Sequence, residues 1–297
     1  SARQPIITFL TCLMDERNLV TLKATLDRLG FGSDLNEVLE VAIKNREPSF
    51  LLGVCSYFDP PVSLSAEKGV KDFVQYILNF GHSKKTGTYK LHNYLAQLST
   101  HNGIKRNQGF EINNDHYITA REAYHLLLGN AVLKQVSTRK GTVLHPQEKT
   151  DVWFKLNIDL PPTFSRHPLS TFYPPHGFSL PQIVDTYPFI FQSSSERIQL
   201  IDSLKKGTFP KVDMELGGRI EIVFLSVNPK MKTLDVYDHR MKLIDNDIIS
   251  RQNEFLEMPK RVELSDYIGY EQGLLAEKTR YFSDYQNEGL QYSPRKR

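Results

Sequence analysis

The chain is predicted to fold as an α+β protein made of repeated helix-then-antiparallel-strand units in two lobes, with an irregular C-terminal appendage. Three stretches carry that prediction. At 123–136 a short apolar helix pattern stops at Gly129 and a strand pattern starts near Ala131. The same order returns at 200–212, where Leu204 stands three residues before Gly207 as Leu126 stands three before Gly129. A weaker copy at 38–50 has Asn45 in the glycine's place. Glycine and asparagine both accept the left-handed backbone that closes a helix, so each stretch reads as helix, stop, strand. The stops recur roughly every 80 residues, the spacing of related units.

From the start, apolar residues at 6–29 (Phe9, Leu13, Leu19, Leu22, Leu26, Leu29) have helical spacing and end at Gly30 and Gly32, predicting one amphipathic helix or a helix pair. Ser33 and Asp34 are candidate caps for a second helix over 35–43, and Pro48 turns the chain into a strand over 50–57. The β-branched and aromatic runs 73–80 and 89–98 flank a polar turn and predict a hairpin. A polar link over 100–109 follows, with a soft boundary at 116/117. Thr119 and Glu122 have capping-box spacing for the helix before Gly129. At 151–159, Val152, Phe154, Leu156 and Ile158 share one face of a strand. The proline-rich passage 160–181 reads as an irregular excursion packed by Phe172, Tyr173 and Phe178. A helix over 194–206, capped from 193–195, leads to a hairpin around Gly217-Gly218 and a last strand over 233–237 after the Asn228-Pro229 turn. The expected division is an N-terminal lobe 1–116, a second lobe 117–249 and a polar, partly helical tail 250–297.

The 37 basic and 34 acidic residues leave a net charge of +3, too mild to demand an anionic partner. Cys12, on an apolar helical face, and Cys55, within a strand, are expected as buried, inert thiols in a reducing compartment. No apolar run approaches the roughly 20 residues of a membrane span, and no leader pattern opens the chain, so a cytoplasmic location with no membrane contact is expected.

The stretch 119–132, Trp153-Phe-Lys-Leu-Asn157, His176-Gly-Phe-Ser-Leu180, Ser203-Leu-Lys-Lys-Gly207 and above all the string from Val227-Asn-Pro-Lys-Met231 to Asp238 resemble a family of uncharacterised Bacteroidetes proteins, a domain of unknown function often encoded near conjugative or mobilisable elements. The resemblance covers most of 20–245 and departs from the family in the 160–181 passage and at an insertion over 63–71. It brings no catalytic residues with it. What it implies is a setting in DNA transfer or mobile-element upkeep.

Catalytic patterns are missing from the sequence. His92, His101 and His116 have no metal-ligand spacing, no Gly-x-Ser-x-Gly or phosphate-cradling loop occurs, and Gly217-Gly218 is explained by a hairpin turn; no cofactor is expected. Basic pairs instead recur in turns: Lys84-Lys85, Lys105-Arg106, Arg139-Lys140, Lys205-Lys206, and Lys230 with Lys232. Facing one way, with Tyr76, Tyr89, Tyr94 or Trp153 as stacking planes, they would line a phosphate-tracking surface; scattered, they are ordinary solvated charges. The leading expectation is therefore a non-enzymatic binding module for nucleic acid or another element-encoded protein. A protein-interaction or regulatory scaffold docking through 160–191 or the tail is the second expectation, and a hydrolase or metal enzyme built from distant residues the third.

Overall fold

The structure, a computed structural model, describes residues 4–61, 69–112, 117–137, 149–163, 166–173 and 178–249, with side chains described from Glu16 onward. Helices α1 (Gln4–Leu29) and α2 (Asn36–Lys44) precede a meander of β1 (Ser49–Phe58), β2 (Asp72–Ser83), β3 (Thr88–Ser99) and β4 (Lys105–Glu111), paired antiparallel in chain order. Alternation decides which face is covered: Val74, Tyr76, Leu78 and Phe80 of β2 and Tyr94, Ala96 and Leu98 of β3 are buried beneath the helices. The 6–29 pattern resolves into a single helix. No side chain caps α2, whose N-cap position is Leu35, so Ser33 and Asp34 do not serve there.

The stretch 100–109 is not a polar link throughout: half of it belongs to β4. Tertiary partners make a strand of a sequence with little strand propensity: the Arg106 guanidinium donates to Leu127 O at 2.7 Å, and Gln108 Oε1 accepts from His167 N at 2.8 Å.

Three of the helices that lead into a strand end in the same pair of bonds, while the helix over Leu180–Val184 does not. After α2, Arg46 N reaches Ile43 O and Glu47 N reaches Ala42 O. After α3 (Ala120–Leu128) the pair is Gly129 N to Leu126 O and Asn130 N to His125 O. After α5 (Ser194–Lys205) it is Gly207 N to Leu204 O and Thr208 N to Ser203 O. These are Schellman closures, in which the left-handed residue donates to the carbonyl three positions before it. Gly129 and Gly207 take that position as expected, at φ +96° and +76°. In the first junction it is Arg46, at φ +57°, and Asn45 is right-handed at φ −75°.

β5 (Ala131–Ser137), β6 (Lys149–Leu156) and β7 (Leu169–Phe172) form a three-stranded antiparallel sheet. The passage 160–181 thus holds a strand and opens α4 (Leu180–Val184). β8 (Phe189–Ile190), β9 (Lys211–Leu216), β10 (Arg219–Asn228), β11 (Thr233–Tyr237) and β12 (Leu243–Ile244) make a five-stranded sheet in the order β12-β11-β10-β9-β8. Thr119 and Glu122 form the capping box on α3, and Ser193 caps α5. Gly217 and Gly218, both at positive φ, make the two-residue turn between β9 and β10.

One apolar cluster runs from Leu22 and Leu39 through Tyr76 and Tyr94 to Leu126 and Phe154. α3 packs on β3 and β4 as well as on β5 and β6, so this core crosses the 116/117 division. The described residues up to Asn246 belong to one compact unit. The tail 250–297 lies outside the described residues. Among those residues, no helix is long and apolar enough to cross a membrane.

Candidate functional site

The three-stranded sheet has two differently used faces. Val132, Val152, Phe154 and Leu156 are buried in the core against α3. On the other face the register sets Leu133, Trp153 and Phe172 in one cross-strand row. This row lines a cleft of about 730 Å³, together with Tyr173, Phe178, the start of α4, the end of α5 and the turn between β10 and β11. Four lysines line it as well: Lys149 from β6, Lys205 from α5, and Lys230 and Lys232 from the turn. Asp151 is the one carboxylate among its described lining. Trp153 is only 7% exposed and stands edge-on to Phe178 at 5.7 Å, whereas Tyr173, 47% exposed, presents an open ring.

Asn228 shapes the turn that carries two of the lysines. Its Oδ1 accepts from Met231 N at 3.2 Å and its Nδ2 donates to Asp235 Oδ1 at 2.9 Å, while Asn228 pairs with Thr233 to close the hairpin. Lys232 is held at φ +58°, a conformation that costs a side-chain-bearing residue about 1–2 kcal/mol. Such strain concentrates where a side chain must be aimed. Asp235 also faces Lys155 of β6, 3.7 Å away, which ties the hairpin to the three-stranded sheet.

The second tie between the sheets is where two helix closures meet. Buried Asn130 donates through Nδ2 to Gly207 O at 2.7 Å and accepts from Ser226 Oγ at 3.3 Å. A Cβ on Gly207 would lie 2.8 Å from Val132 Cγ2 and 2.9 Å from Ala131 O, so glycine is needed there for space as well as for φ. His125 adjoins this contact; burial, reinforced by the Arg121 charge, lowers its pKa to about 4.

The ten basic residues singled out in the sequence do not form one surface. Lys205, Lys230 and Lys232 come together in the cleft. Lys206 is exposed but does not line it. Lys84 and Lys85 lie in the β2–β3 turn, and Lys105 pairs with Ser99 at the other end of β3, roughly 40 Å along the strand at about 3.3 Å per residue. Arg106 is turned inward onto α3, and burial lowers its pKa. Arg139 and Lys140 lie outside the described residues.

Of the proposed stacking rings, Tyr76, Tyr89 and Tyr94 are buried, and Tyr76 and Tyr94 donate to Ala120 O and Ile118 O, so only Trp153 reaches the cleft. Lys149 was missed. It lies on the strand face of Asp151 and Trp153, and extending the 151–159 strand two residues backwards would have found it.

Cys55 is exposed, not buried, because it points off the uncovered face of β1; the side chain of Cys12 lies outside the described residues. His101 is used structurally: its Nδ1 and backbone N meet Asp72 Oδ1, each at 2.9 Å, while Tyr124 donates to Oδ2 at 2.8 Å. His116 lies outside the described residues, and among them no three His, Cys, Asp or Glu side chains gather as metal ligands would. No family model, curated protein or solved structure matches the chain.

Proposed function

We propose that the protein is a non-enzymatic binding module that takes single-stranded nucleic acid through the lysine-lined aromatic cleft, in the mobile-element setting that the family resemblance implies. The observation that carries this reading is the convergence of Lys149, Lys205, Lys230 and Lys232 around Trp153, Phe172, Tyr173 and Phe178. Ammonium groups track phosphates, and an open ring such as Tyr173 offers a plane for an unstacked base. A duplex keeps its bases stacked inside, so it would use the lysines but not the rings. The three Schellman junctions serve this reading as kindred building blocks, two of which meet at Asn130 and set the β10–β11 turn over the sheet.

The test is fluorescence anisotropy with a labelled mixed-sequence 20-nucleotide DNA strand and its duplex. Single-strand binding should be tighter, and Tyr173→Ala should weaken it by about 1–3 kcal/mol. Equal affinity for strand and duplex, or no effect of Tyr173→Ala, overturns the reading. Salt-insensitive capture of a protein with no nucleic-acid binding would favour the interaction scaffold instead.

A further inference from the structure

The long edges of a β-sheet invite other strands unless they are short, charged, interrupted or covered. In this fold almost every described edge is managed. β8 and β12 are two residues long and β7 is four. β5 lies against α5 and β10. β4 is covered by Arg166 and His167: His167 N donates to Gln108, and the Arg166 guanidinium lies so close over Gly109 that a Cβ there would be 2.9 Å from it. β1 is the exception. It is ten residues long, contains no proline and no charged residue, and no described strand pairs with its outer edge. Leu51 and Tyr57 are 64% and 66% exposed, and Phe50, Val54 and Phe58 on the inner face are only half-buried.

The strand is also its own complement. In an antiparallel pair of two β1 strands, the faces stay in phase only if residues of like parity meet. With Val54 opposite the second copy's Val54, Leu51 meets the second copy's Tyr57 on the outer face, and Phe50 meets its Phe58 on the inner face. Centring on Gly53 instead sets Leu51 against Cys55 and Phe50 against Ser56. Centring on Cys55 sets Leu51 against Asp59 and Phe50 against Pro60. Only the Val54 register opposes every half-covered apolar side chain to another. The ends that then approach carry Arg46 and Glu47 on one copy and the Asp59–Lys71 ion pair (3.0 Å) on the other, so no unbalanced like charges meet. We infer that two copies of this chain associate through β1, antiparallel about a two-fold axis at Val54, joining their four-stranded sheets into one of eight strands.

Light scattering on the purified full chain should give twice 34.2 kDa at micromolar concentration. Leu51→Lys with Tyr57→Lys, both at exposed positions, should return it to one copy with Trp153 emission unchanged. Register is read by cross-linking. A Cβ at Gly53 would meet only Tyr76 O, at 3.9 Å, so Gly53→Cys is accommodated. In a Cys12→Ser background it would face the second copy's native Cys55 and give a covalent dimer under mild oxidation, whereas Cys12→Ser alone would not. A single-copy mass for the native chain, a dimer that survives the double lysine substitution, or cross-linking of the Cys12→Ser parent would each overturn the proposal. Should the lysine variant lose its fold, the Gly53→Cys cross-link decides alone.

Discussion

Gly207→Ala tests the contact that holds the five-stranded sheet to the three-stranded one. At φ +76° an alanine costs about 1–2 kcal/mol of backbone strain. Its Cβ would also stand 2.9 Å from Ala131 O, a backbone atom that cannot rotate aside, and 2.8 Å from Val132 Cγ2. Relieving that overlap separates α5 from β5 and stretches the buried 2.7 Å bond from Asn130 to Gly207 O, worth about 1–3 kcal/mol once its donor is left unsatisfied. The combined loss is about 2–5 kcal/mol, a fall in melting temperature of roughly 10 °C for a unit of this size. Gly218→Ala is the control. It shares φ +76°, but nothing lies within 4 Å of its Cβ, so only the backbone cost of about 1–2 kcal/mol applies. Urea unfolding followed by Trp153, the only tryptophan, reads both variants. Equal losses for the two would refute the crowding at Gly207 and with it the close meeting of the two helix ends.

His125 should make stability depend on acidity. Its folded pKa of about 4 lies below the usual 6.5, so the native state keeps it neutral while the unfolded chain takes up a proton. Stability is then full above pH 6.5 and is lost progressively as the pH falls towards 4, by about 3 kcal/mol, and His125→Gln should flatten that slope. An identical pH dependence in the variant would contradict the burial. Asp72→Ala strips the acceptor from His101 N, His101 Nδ1 and Tyr124 OH at a fully buried site, and should cost about 3–5 kcal/mol by denaturant midpoint. A loss below about 1 kcal/mol would mean the three bonds do not hold the β3–β4 turn to α3.

Local chemistry made much of the fold legible. The Thr119–Glu122 capping box, the Gly129 and Gly207 stops, the β2–β3 hairpin and the Gly217-Gly218 turn are decided by neighbours in the chain, and each has its expected form. At the first helix stop residue type points to Asn45, whereas spacing points to Arg46, and the left-handed residue is Arg46. Leu126 to Gly129 and Leu204 to Gly207 are three apart, and counting three from Ile43 gives Arg46, which holds the left-handed turn without being glycine.

β4 was illegible for a different reason: its partners, Leu127 and His167, are distant in sequence. The cleft was half legible. Lys205, Lys230 and Lys232 and the ring of Trp153 were visible as types, but only the β6 register and the Asn228 turn bring them to one place, and the same folding takes Lys84, Lys85 and Lys105 elsewhere. Nothing in composition separates a tyrosine such as Tyr94, buried with its hydroxyl on Ile118 O, from an open one such as Tyr173.

The salt dependence of single-strand binding bears most directly on the proposed role of the cleft. Four lysines meeting four phosphates give a slope of log affinity on log salt near −2.8, so raising salt from about 50 to about 200 mM should weaken binding roughly 50-fold. Lys230→Glu with Lys232→Glu should at least halve that slope, while Lys84→Glu with Lys85→Glu, far from the cleft, should leave it unchanged. A slope that responds to the two pairs alike would contradict the assignment of the cleft as the binding site.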